Sequence, residues 1–201
     1  MSAAAQQSPA AQPHGFLRAL FQAAVDAADP QAATRAALPD PPRGRTLVLA
    51  IGKAAVPMAR GFAEAWNRPF EGLIVTPTGH GEPVPGFAVC EAAHPVPSAA
   101  GAAAAALALS KAAALGPDDL LLCLLSGGGS AVWTLPPPGV GFDDIRAMNA
   151  ALLASGLPIQ AMNLIRRHVS RSQGGRLAKA AGLARVVTLA VSDVVGDDPS
   201  A

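Results

Sequence analysis

Five residues in a row, Ser126-Gly127-Gly128-Gly129-Ser130, follow directly on the uninterrupted apolar run 120–125 (LLLCLL), which a Gly-Pro-Asp-Asp turn opens. Such a run reads as a strand buried on both faces of a parallel sheet. Three glycines in sequence let main-chain N–H groups approach a ligand with no Cβ in the way. Amides converging from such a loop suit an anion such as phosphate. A flexible turn is the plainer alternative. Lys53 follows another strand-like run, 46–51 (TLVLAI), and a glycine, so its ammonium can stand over the strand ends and neutralise a transferring phosphate. An ordinary solvated lysine is the competing reading. A P-loop is excluded, because its upstream glycine would fall at Leu47 and Ala54 replaces the Ser/Thr.

Three carboxylates, Asp193, Asp197 and Asp198, follow the last strand-like run. Asp193 is nearest the strand end and is the one placed to hold Mg²⁺ or take a proton from a hydroxyl; a polar turn with a helix N-cap explains the other two equally well. Arg166, Arg167 and His168 share a helical stretch and can reach an anionic substrate, although a solvated helix face gives the same pattern. His80 and His94 lie in strand-end loops where they can meet phosphate or substrate. Cysteine and histidine spacings give no zinc site. Neither Ser126 nor Ser130 sits in a G-x-S-x-G frame, which disfavours a hydrolase elbow. The absence of G-x-G-x-x-G after the early strands weakens a dinucleotide reading.

These groups must be carried by something, and the apolar periodicity says what. Helical stripes are expected from His14 to about Asp29-Pro30, over 31–38, from Lys53 to about Trp66, from an N-cap at Ser98 to about Leu115, and from Asp143 or Asp144 to about Ala154. A further helix carries Asn163, Arg166, Arg167 and His168, and a short one ends near Ala181. Strands are expected at 46–51, 72–76, 87–92, 120–125 and 186–191. Alternation of the two predicts a doubly wound, mostly parallel α/β sheet of Rossmann-like type with helices on both faces. Ligands gather beyond the carboxyl ends of such strands, where Gly52-Lys53, Gly79-His80, His94-Pro95, the 126–130 loop and Ser192-Asp193 all fall.

The totals agree. A chain of 201 residues can hold one α/β domain with a proper core, and 51% hydrophobic but only 4% aromatic content fits alanine-rich helices packed on a sheet. A net charge of +1 without a basic stripe excludes a nucleic-acid footprint. Cys90 and Cys123 both sit in apolar runs and read as buried, reduced thiols. Residues 1–13 read as a disordered tail with no signal peptide, and no stretch is long and apolar enough for a bilayer. The expectation is a soluble, cytoplasmic protein.

The motifs IGKAA (51–55), GH (79–80), EAAHPVP (91–97), LSGGGSA (125–131), NLIRRHVS (163–170), GGRLA (174–178) and SDVVGDDP (192–199) resemble, in order and approximate spacing, the glycerate 2-kinase family. Its members are often labelled hydroxypyruvate reductase, and their C-terminal part is called the MOFRL domain. The resemblance runs from about residue 14 to the end. It implies ATP- and Mg²⁺-dependent phosphorylation of D-glycerate at the 2-hydroxyl, in a cleft between two α/β domains, and leaves a homodimer open. Carried over by motif, Lys53 would face phosphate or substrate, and Ser126, Gly127, Gly128, Gly129 and Ser130 would cradle phosphate. His94 and Arg166 would join the binding groups, and Asp193 would be the acidic one. The family reads Lys-Gly-Gly where this chain has Gln173-Gly174-Gly175, so a cation expected near the site is replaced. Residues 14–201 are expected to be the N-terminal domain of such a protein, with the second domain absent. An NAD(P)H-linked hydroxypyruvate reductase and a catalytically silent anion-binding fragment are the alternatives.

Overall fold

The computed structural model describes residues 13–192; Asp193, Asp197 and Asp198 lie outside the described residues. Five strands, β1 (Thr46–Ile51), β2 (Glu71–Pro77), β3 (Phe87–Ala92), β4 (Leu120–Ser126) and β5 (Arg185–Val191), form a sheet in the order β3-β2-β1-β4-β5. Every pairing is parallel. The chain works outward from β1 to β3, then crosses back through helix α4 (Ala99–Ala113) to place β4 on the other side of β1. That reversal between β1 and β4 is where a parallel sheet opens a crevice at its carboxyl edge.

Register decides what meets there. Thr46 lies opposite Leu120 and Ile51 opposite Leu125, so both strands end level and their following turns emerge side by side. β1 is buried throughout because it has a strand on each side and helices on each face, which is why TLVLAI has no polar alternation. With a side-chain period of two, Leu47, Leu49 and Ile51 face one layer and Val48 and Ala50 the other. The first layer is closed by α4, whose Ala104, Ala105, Ala108 and Ala112 let its backbone lie close to the sheet, together with Val132, Trp133 and Leu177. The second is closed by α3 (Ala55–Ala65) through Val56, Met58, Ala59 and Phe62. Phe62 stacks on Trp66 at 5.0 Å and meets the edge of Phe70 at 4.9 Å. Truncating so buried a ring to alanine costs about 3–5 kcal/mol.

The remaining helices are α1 (Pro13–Ala27), α2 (Pro30–Ala36), α5 (Gly129–Val132), α6 (Phe142–Ala154), α7 (Ile159–His168) and α8 (Arg176–Ala180). Asp29 caps α2 by accepting from the Gln31 N–H at 2.9 Å, and Ser98 caps α4 through Gly101. α3 begins at Ala55, two residues later than its apolar pattern suggests, because Gly52-Lys53-Ala54 is drawn into a turn against β4. Pro57 then occupies the third helical position, where a missing N–H leaves no bond unmade. The stripe of α1 is helical as expected, yet none of its residues is buried and Phe21 is 68% exposed. Cys90, expected inside, is only half-buried because β3 is an edge strand. Among the described residues, no helix is long and apolar enough to cross a membrane.

Candidate functional site

Two turns are knotted together at the crevice. The Lys53 N–H donates to the Gly127 carbonyl at 2.9 Å, and the Ala54 N–H donates to Ser126 Oγ at 2.9 Å. Ser126 Oγ in turn donates to the Ile51 carbonyl at 3.3 Å, while Thr76 Oγ1 holds the Gly52 carbonyl at 3.0 Å. Such closeness needs glycine at position 52: its φ is +114°, and a Cβ there would stand 2.5 Å from the Ser126 carbonyl oxygen. The Ser126 hydroxyl is therefore committed to joining the turns, a task that its position in a serine–glycine loop did not reveal.

The glycine bend brings together side chains from three strand ends. Gly128 has φ +83°, and a Cβ on it would come within 3.2 Å of His94 Nε2 and 3.3 Å of Lys53 Cε. Lys53, Thr78, His80 and His94 line a hollow of about 410 Å³, and among the described residues no carboxylate lines it. The nearby Glu91 is occupied with the Gly79 and Gly81 N–H groups, at 3.0 and 2.7 Å. Partial burial lowers the His94 pKa below the ordinary histidine value, and the charges of Lys53 and Arg166 and the neighbouring His80 lower it further.

Arg166 is not on a solvated helix face. It is 7% exposed, with Nε donating to Asn149 Oδ1 at 2.9 Å and Nη1 to Asn163 Oδ1 at 3.4 Å. Its Nη2 is buried and has no hydrogen-bond partner among the described residues. Burial lowers the Arg166 pKa, since a guanidinium held among amides has lost water. Asn149 was missed: a lone asparagine in an apolar helical stripe gives no sign that it will orient an arginine from another helix. His168 Nδ1 instead contacts the carbonyl of Leu164 within its own helix, at 2.7 Å, and is not brought to the site through that contact.

On the other side of the bend, Ser126, Gly127, Gly128, Gly129 and Ser130 line a larger cavity of about 500 Å³ with Arg167 and Gln173. Cys123 also borders it, but burial pushes that thiol up to about 12, so it is no nucleophile. Gln173 Nε2 donates to the main-chain oxygens of Ser130 and Trp133, at 2.9 and 2.7 Å. The glutamine thus supplies donors where the resemblance expects a cation. Among the described residues, no group of three or more His, Cys, Asp or Glu could hold a metal ion.

Residues 16–201 match the family model described as a domain of unknown function, DUF4147. A putative hydroxypyruvate reductase of Agrobacterium vitis is 46% identical over 185 residues, which is 92% of this chain and 42% of the relative. A D-glycerate 2-kinase of Thermotoga maritima is 37% identical over 180 residues, 89% of this chain and 43% of the relative. The crystal structure of a glycerate kinase from Thermotoga maritima superposes with a TM-score of 0.81 at 37% identity, covering 90% of this chain and 44% of that one. The chain spans less than half the length of these relatives.

Proposed function

The chain belongs to the DUF4147 family, and from that premise we propose that it forms the phosphate-binding half of a kinase that phosphorylates D-glycerate at its 2-hydroxyl with ATP. One observation carries the reading: the Lys53 side chain and the His94 ring stand against the triple-glycine bend, within 3.3 Å of where a Gly128 Cβ would be. An ammonium, an imidazole and glycine amides sharing one small space suit the charge that spreads over a phosphoryl group in transfer. The Arg166 guanidinium, near enough for its charge to act on His94, adds to the positive potential that an anion would meet. The names of the relatives, glycerate 2-kinase among them, supply the substrate class.

In this reading the 2-hydroxyl oxygen of D-glycerate attacks the γ-phosphorus of ATP, and the bond to the β–γ bridging oxygen breaks. 2-Phosphoglycerate and ADP leave, and the hydroxyl proton passes to a carboxylate, proposed to be Asp193. Lys53 screens the transferring oxygens, the amides of Gly127, Gly128 and Gly129 with Ser130 hold the phosphate chain, and His94 and Arg166 orient the anionic substrate. Mg²⁺ would accompany the nucleotide. Among the described residues no cluster of His, Cys, Asp or Glu could hold it.

Calorimetric titration of the chain with ATP tests the binding half of this reading. Saturable binding that disappears in Lys53→Met supports it, and the lack of any saturable binding to the unaltered protein rejects it. Release of ADP on adding D-glycerate, with no oxidation of NADH on adding hydroxypyruvate, tests the chemistry in a protein carrying both halves.

A further inference from the structure

We infer that Gln173 is a positioning residue for the glycine bend. Gln173 Nε2 lies 2.9 Å from the Ser130 carbonyl oxygen, 2.7 Å from that of Trp133 and 3.2 Å from Thr134 Oγ1. Carbonyl oxygens only accept, so the amide must present its nitrogen to them. α5 is a helix of four residues, Gly129–Val132, and a single turn is not stable by its own bonds. Its terminal carbonyls have no N–H to meet further along a helix. Gln173 supplies donors from a distant segment, and Thr134 Oγ1 donates to the same Ser130 carbonyl at 2.7 Å.

The neighbours of Gln173 complete the strap. Ser172 Oγ donates to the Trp133 carbonyl at 3.0 Å, Trp133 Nε1 donates to the Ser172 carbonyl at 3.4 Å, and the Arg171 N–H donates to the Leu135 carbonyl at 2.8 Å. Ser170 and Ser172 are buried. Gly129 and Ser130 open the same turn whose far end this strap holds, so the orientation of their amides depends on it. Gln173 acts on the bend from behind, and need not touch a ligand.

The consequence for anion binding rests on the reading given above, whereas the consequence for the backbone does not. Three variants separate them. Leucine removes the donors, ionised glutamate sets acceptors against acceptors, and lysine restores three donors on a side chain long enough to reach. Hydrogen exchange followed along the whole chain should speed up by about tenfold at the amides of 127–134 in Gln173→Leu and Gln173→Glu, and stay near the native rate in Gln173→Lys. Sulfate affinity should fall by about tenfold in the first two and be retained in the third. Exchange that is unchanged, or that rises evenly over the chain, overturns the inference. Fast local exchange in Gln173→Leu, with no sulfate binding by the unaltered protein, upholds the positioning role and rejects the anion reading instead.

Discussion

The Lys53 main-chain N–H and the Gly127 carbonyl, 2.9 Å apart, tie the turn after β1 to the turn after β4 without using the lysine side chain. Backbone placement and charge are therefore separable. Lys53→Met keeps the tie and removes only an exposed ammonium, so stability should change by no more than about 0.5 kcal/mol. Sulfate affinity should nevertheless fall by roughly tenfold, as expected when a charge-assisted contact is lost. Equal sulfate affinity in the two proteins, measured by calorimetry, would make Lys53 a bystander.

Gly128 combines a left-handed backbone with a crowded front, and a matched pair of variants separates the two. Gly128→Ala strains φ by about 1–2 kcal/mol and pushes a methyl toward His94 Nε2. Gly139 has nearly the same φ, +82°, with nothing within 4 Å of its virtual Cβ. Both alanine variants should lower the melting temperature by similar amounts, and only Gly128→Ala should impair sulfate binding. Impairment by both would trace the effect to strain and not to access.

Sequence made most of this visible where one residue's type decides its surroundings. The run LLLCLL can lie only between two helix layers, and three glycines after it announce a bend that needs open space. A doubly wound, mostly parallel sheet follows from alternation of helices and strands, whereas the strand order and the level ends of β1 and β4 do not. Lys53 at the carboxyl edge of such a sheet was legible. Arg166 was not, because a helix with two arginines and a histidine reads equally well as solvated, and only the tertiary fold brings Asn149 under the guanidinium. Gln173 was read for the cation it lacks; its donors became visible only when α5 turned its open carbonyls toward residue 173. Such side-chain-to-carbonyl bonds carry no periodic signature.

His94 should report the electrostatics of the site directly. Its pKa lies below the ordinary 6.5, so between the native and unfolded values the unfolded chain holds a proton that the native one declines. Stability should accordingly fall as pH drops through about 6.5 and level off once native His94 is protonated. A bound anion reverses the preference, because it favours the imidazolium. Sulfate, ionised throughout, should bind more tightly as the pH is lowered from about 7.5 to 5.5, and His94→Gln should flatten that trend. Proton NMR can follow the ring itself. A midpoint at or above 6.5 in the free protein would contradict the ring's partial burial and the charges of Lys53 and Arg166 beside it.

At the opposite end of the strands, Asp119 holds the entries of β1 and β4 together. Its Oδ1 accepts from the Arg45 N–H at 2.6 Å, and its Oδ2 accepts from the Gly116 N–H at 2.8 Å and from Arg45 Nη2 at 2.9 Å. The Gly116 N–H does most to hold the carboxyl below its usual 3.8, burial works against it, and the Arg45 main chain and guanidinium pull the same way as Gly116. A depressed native pKa gives stability that is complete above the unfolded value and lost as pH falls through the native one. Asp119→Asn keeps the shape but sets an NH₂ against N–H donors, so it should cost about 2–4 kcal/mol near neutral pH. The cost should shrink in acid, once the pH has fallen through the depressed native value and the carboxylate itself gains a proton. Urea titrations of both proteins at the two pH values would measure this, and a deficit that stays constant would mean that Asp119 contributes through shape and not through charge.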